Sequence, residues 1–327
     1  MKVNQIDLSI IIVHYNTPRD LDICLKSIYD FTKEISFEIF VVDNKSPNRD
    51  IDRVVEKYPK VMYKPLENNH GFPVGNNIVL KEITGEFVLF LNPDTYIVDD
   101  ALSNLILFMR QSGAAICAPR LISEIDKLHY DGGKFPTISS FLYSSFQLDT
   151  RFPQSMFGKH FYGTWNRMNT QEIDWVPGAA LMINQSVLRT IGGFDENIFM
   201  FAEDIDLCWR AKKLGYKVYV YGSSKIIHHY GKATIQNIPQ RIAASHASKL
   251  YIIKKHKSKM YFYVYYMIMF FTVFIKLLIL CISVIFLKNN YIKIRCHGYV
   301  WCFNYLLSSP KTAILDELMS VKPRTIL

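Results

Sequence analysis

Four short polar segments carry the residues in this sequence whose types suit chemistry. Asp43 stands in Asp43-Asn44-Lys45-Ser46, directly after an apolar run. A carboxylate there can accept the N3–H of uracil or thymine, or it can simply cap a turn, as strand-end Asp and Asn often do. Asp94 stands in Asn92-Pro93-Asp94-Thr95 after a second such run. It offers the hard oxygen that Mg²⁺ or Mn²⁺ takes while leaving positions open to phosphate oxygens, or it starts a turn whose bend Pro93 sets. The densest group is Glu203-Asp204-Ile205-Asp206. Three carboxylates at a helix start are favoured by the helix dipole, and Asp206 with Arg210 makes an i,i+4 pair. Asp204 lies among apolar and aromatic residues, where a positioned carboxylate can act as a general base. In His228-His229-Tyr230-Gly231, one imidazole could be a second metal ligand.

The elements between these segments read as an α/β fold. Leu8–Val13, Glu38–Val42 and Phe87–Leu91 are continuous apolar runs with the length of buried parallel strands, and Val61–Lys64 is a weaker one. Helical spacing over Arg19–Tyr29, a short helix at Asp52–Lys57 and another over Val74–Ile83 alternate with them. That order implies right-handed βαβ units and an open, mostly parallel, Rossmann-like sheet with flanking helices. Ala179–Ile183 reads as a further strand, Ala202–Leu214 as a helix, and Val218–Tyr221 and Ile226–His229 as two more strands. Ligands of such sheets bind beyond the carboxyl ends of the strands, where the polar segments stand. Asn68-Asn69-His70-Gly71-Phe72 fits there too, because glycine permits close backbone approach and helix-start amides suit an anion.

In this order, SIIIVHYN, VVDNKS, NNHGFPVGNN, FLNPDT, WVPGAALMI, GGFDENIFMFAEDIDLCWR and HHYG resemble the inverting glycosyltransferases of family two, which have the GT-A fold. Within that family they look like the rhamnosyltransferase-like bacterial enzymes, and the resemblance covers roughly residues 6–235. It implies that Tyr15, Asn16, Asp43 and Asn44 hold the nucleotide, with Asn69, Gly71 and Asn77 near the ribose and diphosphate. Asp94 would bind a divalent ion, Mg²⁺ or Mn²⁺, in the position of the family's DxD aspartate, with Asn92 in place of the first Asp and His228 assisting. Trp175, Pro177, Gly178 and Glu203 would shape the acceptor site, and Asp204 would be the general base. Ala233 stands where many relatives carry Ser, with Thr234 beside it. The donor favoured by these motifs is dTDP-rhamnose, with a UDP-sugar as the other pyrimidine choice, and the pathway is bacterial surface polysaccharide or O-antigen synthesis. The competing reading is a catalytically silent sugar-binding scaffold on the same fold. A sugar nucleotidylyltransferase would carry a Gly-rich loop with Arg and Lys where HYNTPRD stands. A nicotinamide oxidoreductase would carry GxGxxG at that place.

Charge separates the chain into an expected catalytic domain, 1–250, and a tail, 251–327. The first part has equal numbers of basic and acidic side chains, and the tail supplies the whole net charge of +9. Met260–Leu287 contains one charge, Lys276, and neither Gly nor Pro. As a helix it would reach roughly 40 Å, beyond the ~30 Å of a hydrocarbon core. Lys254, Lys255, Lys257 and Lys259 precede it and Lys288, Lys293 and Arg295 follow. A basic tail around an apolar run points to an anionic membrane surface, spanned or lain upon, and to a lipid-linked saccharide as acceptor. Lys276 would snorkel or pair within a homo-oligomer. No zinc spacing or basic recognition helix supports a nucleic-acid partner. Met1–Asp7 does not read as a signal peptide, and the six cysteines show no framework spacing. The expectation is therefore reduced thiols at the cytoplasmic face of the inner membrane.

Overall fold

Residues Leu8–His14 form β1, and all seven are buried because both faces of the strand are covered. A computed structural model describes this chain over residues 6–123, 132–152, 155–156, 169–229 and 238–308. β1 pairs in parallel with β2 (Phe37–Asp43) and with β4 (Phe87–Leu91), and β2 pairs in parallel with β3 (Val61–Pro65). Antiparallel to β4 runs β8 (Ala180–Asn184), followed by β6 (Ile116–Ile122), β9 (Val218–His228) and β5 (Thr95–Ile97). The order is β3-β2-β1-β4-β8-β6-β9-β5, with β7 (Gln171–Glu172) on β9. The parallel half is the one the continuous apolar runs imply. The antiparallel pairings lie beyond β4.

Alternation along β1 sends Leu8, Ile10 and Ile12 into one core and Ile11 and Val13 into the other. The first core is closed by α1 (Pro18–Phe31), whose Leu21, Leu25 and Ile28 recur at helical spacing, and by α4 (Ala101–Ser112). Pro18 at the head of α1 supplies a fixed φ where no amide partner is needed. Gly113 ends α4 in the left-handed region, with φ 67°. The second core takes Val79 and Ile83 together with α7 (Gln185–Ile191) and α8 (Glu203–Lys213).

Two expected elements have different bounds. The helix expected over Val74–Ile83 is α3, Gly71–Asn77. Past Asn77 the chain continues in i,i+3 bonds, with the Leu80 and Glu82 amides donating to the Asn77 and Val79 carbonyls. The two expected strands Val218–Tyr221 and Ile226–His229 are one. β9 runs through Gly222-Ser223-Ser224, where its register against β6 slips from Tyr221↔Pro119 to Lys225↔Arg120. Short helices α2 (Asp50–Glu56) and α6 (Leu148–Arg151) complete this unit.

The second compact unit contains Pro136–Gln147, Glu196–Ala202 and the helices from α9 (Ile238–His256) onward. The expected domain boundary at 250 falls inside α9, whose Ala244, Ala247, Leu250 and Ile253 pack into this unit's own core. With them pack α5 (Ile138–Ser145), α10 (Lys259–Leu287) and α11 (Asn290–Leu307). Residues 309–327 of the expected tail lie outside the described residues.

Because Ile11 and Ile12 are wholly buried in different cores, Ile11→Ala and Ile12→Ala should each cost about 2–5 kcal/mol. Denaturant titration of the two single variants checks this. A cost below about 1 kcal/mol for either would show that face to be uncovered.

Candidate active site

The ends of β1 and β2 are tied together by buried polar groups. The Thr17 amide donates to His14 Nε2 at 3.0 Å, which leaves the proton on Nδ1, 3.1 Å from Asp43 Oδ1. The Ser46 hydroxyl also donates to Asp43 Oδ1, and it accepts from the Asn16 amide at 2.8 Å. His14 and Asp43 are wholly buried. Burial pushes the Asp43 carboxyl up. The hydrogen bonds from His14 and Ser46 outweigh that and hold it below the usual carboxylate range. Two residues past each strand the backbone turns left-handed, with φ 55° at Asn16 and 61° at Lys45. Next to this network, Asn44 accepts from the His70 amide at 2.9 Å and donates to the Gly71 carbonyl at 2.9 Å, while Asn69 accepts from the Gly71 amide at 3.0 Å.

Beyond β4, Asn92-Pro93-Asp94-Thr95 turns tightly into β5. The Asn92 amide bonds to the Ala179 carbonyl, and the Thr95 hydroxyl donates back to the Asn92 carbonyl at 2.7 Å. Pairing of β5 with β9 sets Thr95 opposite His228 and brings His228 Nε2 to 3.2 Å from Asp94 Oδ1, both residues nearly buried. As a direct contact this is an ion-pair distance, and it is also close to the about 3.0 Å between two cis ligands at about 2.1 Å on an octahedral ion. Among the described residues no group of three or more His, Cys, Asp or Glu forms a fuller ligand set. Remaining positions would fall to phosphate and water oxygens. The flanking Tyr230-Gly231 and the Ala233-Thr234 departure lie outside the described residues.

At the third place, Phe201 and Ala202 hold φ of 69° and 67° immediately before α8. Left-handed non-glycine residues cost about 1–3 kcal/mol each and concentrate at functional sites. Glu203 is buried, and its Oε2 has no hydrogen-bond partner. Burial first, then the neighbouring Asp204 charge, raise its carboxyl well above the usual range. Asp204 is half-buried. Its Oδ2 accepts from the Gly178 amide at 2.9 Å and its Oδ1 from the Ile205 amide at 2.8 Å. Burial raises it too, with those amides pulling the other way. A raised but reachable carboxylate is what a general base needs near neutral pH.

The structure therefore sorts the expected site residues by availability. Tyr15, Asn16, Asn69 and Asn92 keep exposed surface beyond the strand ends, and Trp175, Pro177 and Asp204 are half-buried. Asp43 and Asn44, expected to meet the nucleotide, are buried and spend their polar atoms on the loops. Asn77, expected near the ribose, instead brackets the Phe194 backbone, donating to its carbonyl at 2.8 Å and accepting from its amide at 2.9 Å. Glu203, expected at the acceptor, faces inward because it opens the buried side of α8. Trp175 is fixed by its indole N–H on the Lys134 carbonyl at 3.1 Å. Sequence reasoning missed Ser46 and the reach of Arg210, which bonds Asp206 at 2.8 Å and the Gly193 carbonyl at 2.6 Å. A Cβ at Gly193 would come within 2.3 Å of Asn77 Oδ1, so glycine there follows from the Asn77 clamp.

The sequence profile of glycosyl transferase family 2 matches residues 9–175. The low-salt glycan biosynthesis hexosyltransferase of Haloferax volcanii is 30% identical over 211 residues, 63% of this chain and 62% of that relative, just under two thirds of its length. The N-acetylglucosaminyl-diphospho-decaprenol L-rhamnosyltransferase of Mycobacterium tuberculosis is 22% identical over 263 residues, 76% of this chain and 85% of that one. A mannosyltransferase of Pyrobaculum calidifontis, solved with GDP-mannose and Mn²⁺, shares the fold, with a TM-score of 0.56, 13% identity and coverage of 98% and 89%.

The raised acid at Glu203 has a thermodynamic sign. It contributes stability below the ordinary glutamate value and loses it as pH rises toward the folded value. Glu203→Gln cannot ionise, so its melting temperature relative to the unaltered protein should climb as pH rises above the ordinary glutamate value. A difference that stays flat across that rise would mean Glu203 is ionised and solvated.

Proposed function

The chain belongs to glycosyl transferase family 2, and on that premise we propose that it transfers a sugar with inversion from a pyrimidine nucleotide-sugar to a hydroxyl of a lipid-linked saccharide. Asp204 carries the reading: a half-exposed carboxylate, raised by burial and aimed by two backbone amides, at the head of α8. It accepts the proton of the acceptor hydroxyl as that oxygen attacks the anomeric carbon. The bond from that carbon to the diphosphate oxygen breaks, and the electron pair leaves with the diphosphate. Glu203 lies buried behind it, with its carboxyl pushed well above the usual range by that burial and by the Asp204 charge. Asp94 and His228 would hold a divalent ion, Mg²⁺ or Mn²⁺, whose chemistry there is to neutralise charge on the departing diphosphate.

Tyr15, Asn16, Asn69 and Asn92 are the residues we assign to the donor, with Asp43 and Asn44 positioning the loops that carry them. Trp175, Pro177 and Gly178 are assigned to the acceptor. The rhamnosyltransferase relative favours dTDP-rhamnose over a UDP-sugar, and its decaprenol-linked substrate favours a lipid-diphosphate acceptor. The proposed place draws on α10, 29 residues with mean hydropathy 2.8 and only 11% of its most apolar window buried. With its basic flanks it supports membrane association, and we assign the cytoplasmic face of the inner membrane, in surface glycan synthesis, as part of the proposal.

Asp204→Asn should lower kcat about 10²–10⁴-fold while donor affinity stays near that of the unaltered protein. A dead Glu203→Gln beside a healthy Asp204→Asn would move the base by one residue. Separately, Asp94→Ala should abolish the gain in nucleotide affinity that Mn²⁺ brings. Full transfer in excess EDTA would contradict the metal assignment.

A further inference from the structure

Between Asp206 and Asp316 the sequence contains neither Asp nor Glu, yet α9, α10 and α11 carry ten Lys and Arg side chains with their short links. Most of these stand at helix ends, where water can reach them. Lys276 and Arg295 do not. Both line a cavity of about 260 Å³ within the helical unit, together with Gln147, Ile275, Ile279 and Tyr299. Lys276 Nζ lies 3.2 Å from the Tyr299 hydroxyl and 5.4 Å from the centre of its ring. Arg295 sits 5.8 Å from the Tyr291 ring. Among the described residues neither cation has a carboxylate in ion-pair range. Two half-buried cations at one largely aliphatic cavity repel each other and lose hydration, so an anion from outside the chain would stabilise them.

The surroundings identify the kind of anion. Ile275, Leu278, Ile279 and Ile282 continue the exposed face of α10 that begins at Met260 and ends at Leu287. A ligand with its charge at Lys276 and Arg295 would therefore lay an attached hydrocarbon chain along apolar surface. The volume falls short of the ~300–1,000 Å³ that encloses a whole small molecule, and it suits a headgroup. Arg295 offers a fork to two phosphate oxygens, and Lys276 a point charge beside the Tyr299 hydroxyl. We propose that this cavity seats the phosphate of a membrane lipid, with Lys276 and Arg295 as its cation pair. The lipid is either the prenyl phosphate that carries the acceptor or an anionic phospholipid. Lys276 stands twelve residues, about 18 Å of helix, from the basic end at Lys288, so a headgroup reaches it when the α10–α11 hairpin lies in the interface.

This inference rests on the membrane reading of α10, and flotation separates the two. Full-length protein is floated with vesicles of phosphatidylcholine alone. In a maltoside detergent it is then titrated with farnesyl monophosphate, dioctanoyl phosphatidylglycerol, dioctanoyl phosphatidylcholine and inorganic phosphate. Flotation with the neutral vesicles, by the unaltered protein and by Lys276→Gln/Arg295→Gln alike, keeps the membrane reading whatever the titrations give. The seat is supported by saturable binding of an anionic lipid that the double variant weakens roughly tenfold or more and that Lys276→Arg, which keeps the charge, largely preserves. Binding of farnesyl monophosphate alone identifies the acceptor lipid, and equal binding of phosphatidylglycerol identifies bulk phospholipid. If the double variant does not fold, Arg295→Gln alone carries the comparison. Unchanged lipid affinity in the neutral variant, or inorganic phosphate binding as tightly as either lipid, overturns the proposal.

Discussion

The hydrogen bond from His14 to Asp43 joins the ends of the two central parallel strands, and the crevice beyond them depends on it. A buried carboxylate is costly unless each oxygen is occupied; here His14 and the Ser46 hydroxyl donate to Oδ1, and the Ser46 amide donates to Oδ2 at 3.3 Å. Ser46 in turn receives the Asn16 amide, so the β1 loop cannot move without disturbing the β2 loop. The left-handed turns at Asn16 and Lys45 follow from the same closure, because each chain must swing sharply to leave a strand whose last residue is tethered. The exposed side chains of the β1 loop are thus held by a buried network behind them.

Electrostatics divides the remaining carboxylates by surroundings. Asp43 is lowered by its donors, whereas Glu203 and Asp204 are raised because burial outweighs the amides near them. The difference between the acidic neighbours is access: Glu203 points into the packed side of α8 and Asp204 toward Gly178. Asp94 is set by strand pairing. Its imidazole neighbour arrives from β9, so the register of β5 on β9 is what brings Asp94 and His228 together.

Much of this was legible in residue order. Leu8–Val13 and Phe87–Leu91 read as buried strands because β-branched and aromatic runs admit few other homes, and the polar residues that follow them do stand at strand ends, with His14 the last residue of β1. The pairing of Asp94 with His228 was expected only through a family likeness, since 134 residues separate them and nothing local predicts β5 against β9. Asn77 was expected near the ribose only through the family likeness, and no local signal shows that Phe194, 117 residues away, bonds both ends of its amide. The one-strand β9 was hidden by Gly222-Ser223-Ser224, which reads as a break and is a bulge. Glu203 was misplaced because an acidic residue at a helix start is ordinarily solvated, and what packs on that turn is set by distant segments.

The helical unit is packed differently. Its core includes Ala244, Leu250, Tyr265, Met269 and Cys302, and much of the apolar surface of α10 is exposed. An exposed apolar helix of this length is what the proposed membrane association would cover. The account as a whole requires one displacement with one base and no covalent sugar–enzyme intermediate. The most direct test is the anomeric configuration of the product formed from a nucleotide-sugar of defined configuration, read from the one-bond C1–H1 coupling by NMR. Inversion at the anomeric carbon is the predicted result. Retention would contradict the account, because it would demand a nucleophile where Asp204 is assigned as a base.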